Sequence, residues 1–291
     1  MINYESVYEI QTILQKYNIS PQKKWGQNFM LSLGAREKLC TLLNSDENET
    51  VWEIGPGIGS LTSLLIEKAG NLIAFEIDQG FINILEDFYG NRETFSLVRG
   101  NFLKTWETVF SQQGQPDKII GNLPYNSGSI MIGRLIEKDI IPEKMVFTVQ
   151  KEVAQRMAAS PGSKNYSAFS LVCQYRFRVK IIGDIKPGAF YPQPKVVSSI
   201  IQLIPHGQYS QDIDTALFFL LVHDAFRSRR KTLGNNLLGG NLIKTFGREK
   251  IFNSVQTCGI DVKSRGETIS LNEYIKIVQQ LTHYGLNPEV F

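Results

Sequence analysis

Between Thr50 and Val149 short apolar runs alternate with longer stretches of helical spacing, and this rhythm restricts the fold more than any other feature of the chain. The runs at 50–54, 71–77, 95–98, 118–123 and 144–149 read as strands, with helix-like segments between most of them. Strands that alternate with helices pair in parallel, because each crossover lays its helix across a face of the sheet. Two further β-rich runs, 177–185 and 196–204, flank a loop that holds Pro187, Gly188, Pro192 and Pro194, and read as a closing pair at the sheet edge. Beyond Pro205 strand signals stop, and 212–226, 248–257 and 271–281 carry helical spacing, as does 4–17 at the start. The expected architecture is α/β, with helices on both faces of the sheet over residues 1–205 and a smaller all-helical domain over 206–291.

A chain of 291 residues with 42% hydrophobic content is long enough for both parts. It has no run of about 18 uncharged apolar residues, and residues 1–10 lack the basic start and apolar core of a secretory signal. A soluble cytoplasmic protein with no membrane partner is expected. Cys40, Cys173 and Cys258 stand far apart with no histidine at ligand spacing, so neither a disulfide framework nor a metal site is expected, and buried free thiols account for them. The net charge is only +3, so the placement of charge matters more than its sum. Lys23 with Lys24 and the cluster Arg227, Arg229, Arg230 and Lys231 are the two sharp basic spots; a solvated helix face is the ordinary account of such a cluster.

The first strand closes on Glu53-Ile54-Gly55-Pro56-Gly57-Ile58-Gly59, and a helix is expected to open at Ser60. Glycines there let the backbone turn sharply and approach a ligand that a Cβ would exclude. The dinucleotide fingerprint G-x-G-x-x-G needs its third glycine where this chain has Ser60. Glu53, just before the turn, would repel a pyrophosphate but tolerate a sulfonium cation. At the end of the second strand Glu76 is placed to accept both ribose hydroxyls of a nucleoside, and Asp78 is given a surface role.

Asn122-Leu123-Pro124-Tyr125 follows the apolar strand at 118–121, at the carboxyl edge where open α/β sheets bind ligands. The exocyclic amine of adenine is a poor nucleophile because its lone pair is delocalised into the ring. Acceptors aimed at the two amine protons, the side-chain oxygen of Asn122 and a main-chain carbonyl at Leu123, would localise that pair. Pro124 stiffens the turn, and Tyr125 supplies a face on which an extruded base can stack. Phe190, in a loop bounded by prolines, is a candidate for the other side of the base; a hydrophobic plug over the sheet edge is the alternative. An activated sulfonium leaving group requires neither metal nor strong general base, only in-line positioning.

With these residues assembled, the sequence resembles the ribosomal RNA adenine N6,N6-dimethyltransferase family, and within it the small-subunit (16S) dimethyladenosine transferases. Matching segments are Gly26-Gln27-Asn28-Phe29, Glu53 to Gly57, Asn122 to Asn126, Phe190 to Val196, and Ala225-Phe226-Arg227 through Leu237. The resemblance implies a class I, Rossmann-like methyltransferase sheet and S-adenosyl-L-methionine as cofactor. Contacts to the cofactor are implied for Asn28, Met30, Gly55, Glu76, Asn101 and Asn122. Met30 stands where leucine is common, and Asn101 where aspartate is usual; an amide oxygen at 101 is expected to accept from the cofactor's adenine amine. The substrate implied is two neighbouring adenosines near the 3′ end of 16S rRNA in a pre-30S or 30S particle, modified by a monomer. Arg227, Arg229, Arg230 and Lys231 then gain a role in RNA phosphate contact alongside Lys23 and Lys24, with Lys151, Arg156 and Lys164 as further candidates. A large-subunit (23S) adenine methyltransferase of the macrolide-resistance type and a non-catalytic RNA-binding assembly factor remain as alternatives.

Overall fold

In a computed structural model the described residues are 2–20, 26–209 and 213–285. The chain runs α1 (Val7–Lys16), β1 (Phe29–Met30), α2 (Leu33–Leu43), β2 (Thr50–Ile54), α3 (Thr62–Leu65), β3 (Asn71–Glu76), α4 (Gln79–Tyr89), β4 (Phe95–Arg99), α5 (Phe102–Gln113), β5 (Lys118–Asn122), α6 (Gly128–Glu137) and β6 (Lys144–Gln150). It continues through α7 (Lys151–Met157), α8 (Ala168–Arg176), β7 (Phe177–Ile185), β8 (Phe190–Tyr191), β9 (Ser198–Pro205), α9 (Thr215–Ala225), α10 (Leu233–Leu238), α11 (Leu242–Thr257) and α12 (Leu271–Thr282). Seven strands form one sheet in the order β4-β3-β2-β5-β6-β9-β7. Neighbours from β4 to β6 pair in parallel, and β9 turns the sheet antiparallel against β6. The crossovers between the parallel strands, and a closing pair at the edge, are what the alternating sequence pattern predicts.

Alternation along the strands decides what each face packs against. Leu72 and Ala74 of β3, with Val51, Ile120 and Val146, join Leu39, Cys40 and Leu43 of α2 in one core cluster. The opposite parity places the Phe75 ring 5.1 Å from Trp52 and 5.1 Å from Phe102 of α5, both edge-on. Edge-on pairs of this kind contribute roughly 0.5–1.5 kcal/mol each beyond the burial of their area. Helices therefore cover both faces, which explains why the central strands are apolar throughout rather than alternating with polar residues.

The chain divides into two compact units: residues 1–135, 140–154 and 179–205 make the first, and 136–139, 155–178 and 206–291 the second. The division differs from a single break at 205/206, because α8 lies in the second unit. That unit is built around aromatic residues: Tyr175 of α8 stacks on Phe218 of α9 at 4.2 Å, and Phe226 lies 6.1 Å from Tyr166 and 6.2 Å from Tyr274. The phenols of Tyr166 and Tyr274 donate to the carbonyls of Ile269 and Gly266, so each buried hydroxyl is satisfied. Gly247 (φ +74, ψ 167) breaks α11, so that the helical spacing read from Arg248 onward is the second of two segments. Cys40 and Cys173 are buried free thiols, as expected, while Cys258 is partly exposed. Among the described residues no helix is long and apolar enough to cross a membrane, and no cluster of metal-ligating side chains occurs.

Candidate active site

A cleft of about 1080 Å³ of atom-free space, open to solvent, lies over the carboxyl ends of β2, β3, β4 and β5 in the first unit. The turn after β2 forms its floor. Gly55 adopts φ +71, and a Cβ built there meets no atom within 4 Å, so the space beside it belongs to the cleft. The turn is braced from behind: the Tyr4 hydroxyl donates to the Ile58 carbonyl (3.1 Å), and the buried Arg36 guanidinium donates to that of Ser60 (3.3 Å). Its helix starts later than Ser60 and is short, α3 comprising only Thr62–Leu65. With so few turns and no side-chain cap, it offers little dipole for an anion, in keeping with the absence of a dinucleotide fingerprint.

Two buried carboxyls face this turn. Glu53 receives the Thr62 hydroxyl at 2.8 Å, and burial pushes its pKa up to about 8, with the Thr62 bonds pulling the other way. Glu76 ends β3 and accepts three backbone amides, from Gly57 (3.0 Å, Oε2), Ile77 (2.8 Å, Oε1) and Asp78 (2.9 Å, Oε1). Burial raises it to about 7 against those donors. A carboxylate has about four lone-pair positions, so three amides leave about one, on Oε2. The expectation that Glu76 takes both ribose hydroxyls narrows accordingly to one bond at that oxygen. Asp78 is more than a surface residue, since it caps α4 through Gly80 N and receives the Gln27 side chain at 3.0 Å.

Residues 26–28 line the cleft where they pack against the end of β5. Gly26 (φ +63) packs so closely against the turn after β5 that a Cβ would lie 3.2 Å from the amide nitrogen of Tyr125. The Asn28 amide donates to Gly26 O, and the Asn28 carbonyl in turn receives Nδ2 of Asn122 at 2.8 Å. That bond decides the orientation of the Asn122 carboxamide, because only the nitrogen end can donate. Its Oδ1 is left without a donor among the described residues, and the side chain lines the cleft. Leu123 is buried and does not line the cleft; its amide donates to Thr148 O at 3.1 Å. Tyr125 is half-buried beside the cleft, and its hydroxyl bonds Ser198 Oγ at the start of β9.

Two expected contacts lie elsewhere. Met30 and Phe190 are cross-strand partners in the two-stranded ribbon β1-β8, 0% and 2% exposed, and both belong to the core under the sheet. Phe190 is thus the hydrophobic plug rather than a free aromatic face, and the cleft contact expected of Met30 falls to its neighbour Phe29, whose ring meets Phe81 at 5.4 Å. Asn101 does line the cleft, but the oxygen expected to accept from a ligand accepts Leu103 N at 3.0 Å as the N-cap of α5.

In the second unit Arg227, Arg229, Arg230 and Lys231 are exposed on the loop between α9 and α10, not on a helix face. None pairs with a carboxylate among the described residues. Buried Asn236 shapes this loop, donating to Ala225 O (2.7 Å) and Ser228 O (2.9 Å) and accepting from Ser228 N (3.1 Å). Arg229 donates to Lys164 O. Lys151 is held by Asp184 at 2.6 Å, and Arg156 lies over the Phe169 ring, so both have protein partners. Lys23 and Lys24 lie outside the described residues.

The family model described as "Ribosomal RNA adenine dimethylase" matches residues 18–283. The chain is 37% identical over 284 residues to a protein of Treponema denticola named "Ribosomal RNA small subunit methyltransferase A", covering 97% of this chain and 96% of the relative. It is 40% identical over 283 residues to the protein of the same name from Borreliella afzelii, again covering 97% and 96%. Among solved structures, a dimethyladenosine transferase from Plasmodium falciparum shares the fold with a TM-score of 0.74 at 23% identity, over 88% of this chain and 98% of that one. The 23S rRNA methyltransferase ErmE shares it with a TM-score of 0.61 at 17% identity, over 87% and 98%.

Proposed function

Because the chain belongs to the ribosomal RNA adenine dimethylase family, we propose that it transfers methyl groups from S-adenosylmethionine to N6 of two adjacent adenosines near the 3′ end of 16S rRNA. The product is N6,N6-dimethyladenosine, and the substrate is the pre-30S or 30S particle, met in the cytoplasm by a monomer. When bound, S-adenosylmethionine supplies a methyl group on a positively charged sulfur, already activated for displacement. The cleft suits such a ligand: it has open space beside Gly55, one acceptor position on the Glu76 carboxylate, and no phosphate cradle. The Glu76 carboxyl, when ionised, favours a cationic ligand over an anionic one, while Glu53, held neutral by burial, carries no charge toward either.

The single observation that carries the catalytic assignment is the Asn122 carboxamide, fixed at its nitrogen by Asn28 O with the oxygen left to accept. An adenine amine donating to that oxygen turns its lone pair out of the ring plane, toward the methyl group. The Leu123 main chain is assigned the second amine proton, and Tyr125 the stacking face, worth roughly 1–3 kcal/mol per base. The Ser198 bond holds the phenol end of that ring in place. Arg227, Arg229, Arg230 and Lys231, exposed and free of carboxylates, are assigned to RNA phosphates, with Lys23 and Lys24 beside them in the proposal.

A deletion strain tests this proposal. Mass spectrometry of its small-subunit rRNA is expected to lack N6,N6-dimethyladenosine, which the wild-type gene restores and an Asn122→Ala copy does not. Small-subunit rRNA that keeps both dimethyladenosines, or loss of methylation confined to 23S rRNA, contradicts it.

A further inference from the structure

α6 starts at the lip of the cleft. The turn before it lends Pro124, Asn126 and Ser127 to the cleft lining, and the amide of Met131, which also lines it, donates to the Ser127 carbonyl at 3.0 Å. The helix buries Ile132 and Leu135, so Ile130, Gly133 and Arg134 fall on its outer side. An outward position on such a helix is ordinarily polar, yet Ile130 is 58% exposed. It does not line the cleft itself. One turn further, Arg134 meets Glu107 of α5 at 3.8 Å, a loose pair with both side chains about half exposed.

Single apolar residues on a surface are common, and what sets this one apart is its place. Residues 127, 130 and 134 are spaced by three and four and follow one side of the helix, polar at the lip, apolar one turn out and cationic two turns out. An adenosine drawn into the cleft leaves its stack, so the base beside it presents an uncovered apolar face at the lip. Ile130 stands one helical turn, about 5 Å, from Ser127, and aliphatic side chains set against unstacked steps are a recurring way of holding distorted nucleic acid. We propose that Ile130 covers the base next to the adenosine in the cleft, with Arg134 on the phosphate beyond it. In one of the two methylations that base is the other target adenosine, held ready at the lip. The proposal rests on the assignment of an adjacent pair of adenosines in small-subunit rRNA as substrate.

Ile130→Ser and Ile130→Val, assayed on unmethylated 30S particles, test it. Both side chains are outside the core, so both variants should match the wild type in thermal midpoint and in calorimetric affinity for S-adenosylhomocysteine. Ile130→Ser should lose about tenfold in kcat/KM for the particle, and Ile130→Val, which keeps an apolar branched side chain, should stay within threefold of the wild type. Arg134→Gln should lower the salt dependence of particle binding by about one counterion. p-Benzoylphenylalanine at position 130, irradiated on the particle with S-adenosylhomocysteine present, should crosslink to nucleotides flanking the target pair, as mapped by primer extension. Crosslinks confined to ribosomal protein or to distant rRNA, wild-type kcat/KM in Ile130→Ser, or a loss of S-adenosylhomocysteine binding in that variant each overturn the proposal and leave the substrate assignment standing. A wild-type enzyme that leaves the particles unmethylated refutes the substrate assignment itself, and the proposal with it.

Discussion

Replacing Glu53 by glutamine removes a buried acid whose ionisation the fold opposes. The side chain is 1% exposed, and Thr62 alone donates to it from a side chain. Its pKa rises from the ordinary 4.5 to about 8 in the folded protein. A raised folded pKa means that stability is fully present below about 4.5 and is lost as pH climbs through about 8. At 1.36 kcal/mol per pH unit the full difference is about 5 kcal/mol, an upper bound because the surroundings relax when the group ionises. Glutamine stays neutral, and its Oε1 can still accept the Thr62 hydroxyl. Thermal or urea unfolding of both proteins between pH 5 and 8.5 is the assay. The two midpoints should nearly coincide at pH 5 and diverge as pH rises, the variant becoming the more stable by roughly 5 °C or more at pH 8.5. A difference that stays constant with pH, or a wild type whose stability is flat from pH 5 to 8.5, refutes the claim that Glu53 is held neutral by burial.

Three other perturbations probe separate parts of the structure. Gly55→Ala puts a methyl group into the cleft at φ +71 and should lower S-adenosylmethionine affinity at least tenfold by calorimetry, with a stability loss of only about 1–2 kcal/mol. Tyr125→Phe loses the Ser198 bond but keeps the ring, so it should retain most activity on 30S particles, whereas Tyr125→Ala should lose ten- to a hundredfold; equal defects in the two variants would dismiss stacking. Single alanine substitutions at Arg227, Arg230 or Lys231 should each reduce the salt dependence of 30S binding by about one counterion in filter-binding titrations. Asn236→Ala, which disorganises their loop without removing a charge, should weaken binding with the slope preserved.

What could be read from the sequence was what local physics decides. Strand periodicity identified β2 through β6 nearly to the residue, and glycine chemistry located the turn at Gly55, because both signals are complete within a few neighbours. The positions of Glu76 and Asn122 are legible for the same reason, each ending a strand at the carboxyl edge of the sheet. The burial of the Met30 and Phe190 side chains arises from a pairing between segments 160 residues apart, which a two-residue strand does not announce. The commitment of the Asn101 oxygen to its own helix, and the Gln27 bond to Asp78, depend on which donor reaches an oxygen first. Residues 155–178 look in sequence like an extension of the sheet domain, yet Tyr175 stacks on Phe218 of α9 and Tyr166 packs on Phe226 just beyond it. The basic loop after α9 reads as a helix face until Asn236 is seen to hold it in a turn.

At the centre of the account stands one oxygen atom, Oδ1 of Asn122, turned to accept from a target amine. Purified enzyme, S-adenosylmethionine and unmethylated 30S particles, followed by nucleoside mass spectrometry, test it directly. Wild-type enzyme should yield N6,N6-dimethyladenosine, while Asn122→Ala should bind S-adenosylhomocysteine and 30S particles yet form product at least a hundredfold more slowly. Dimethyladenosine appearing at comparable rates with the two proteins would contradict the assignment of Asn122 as the acceptor that readies the adenine.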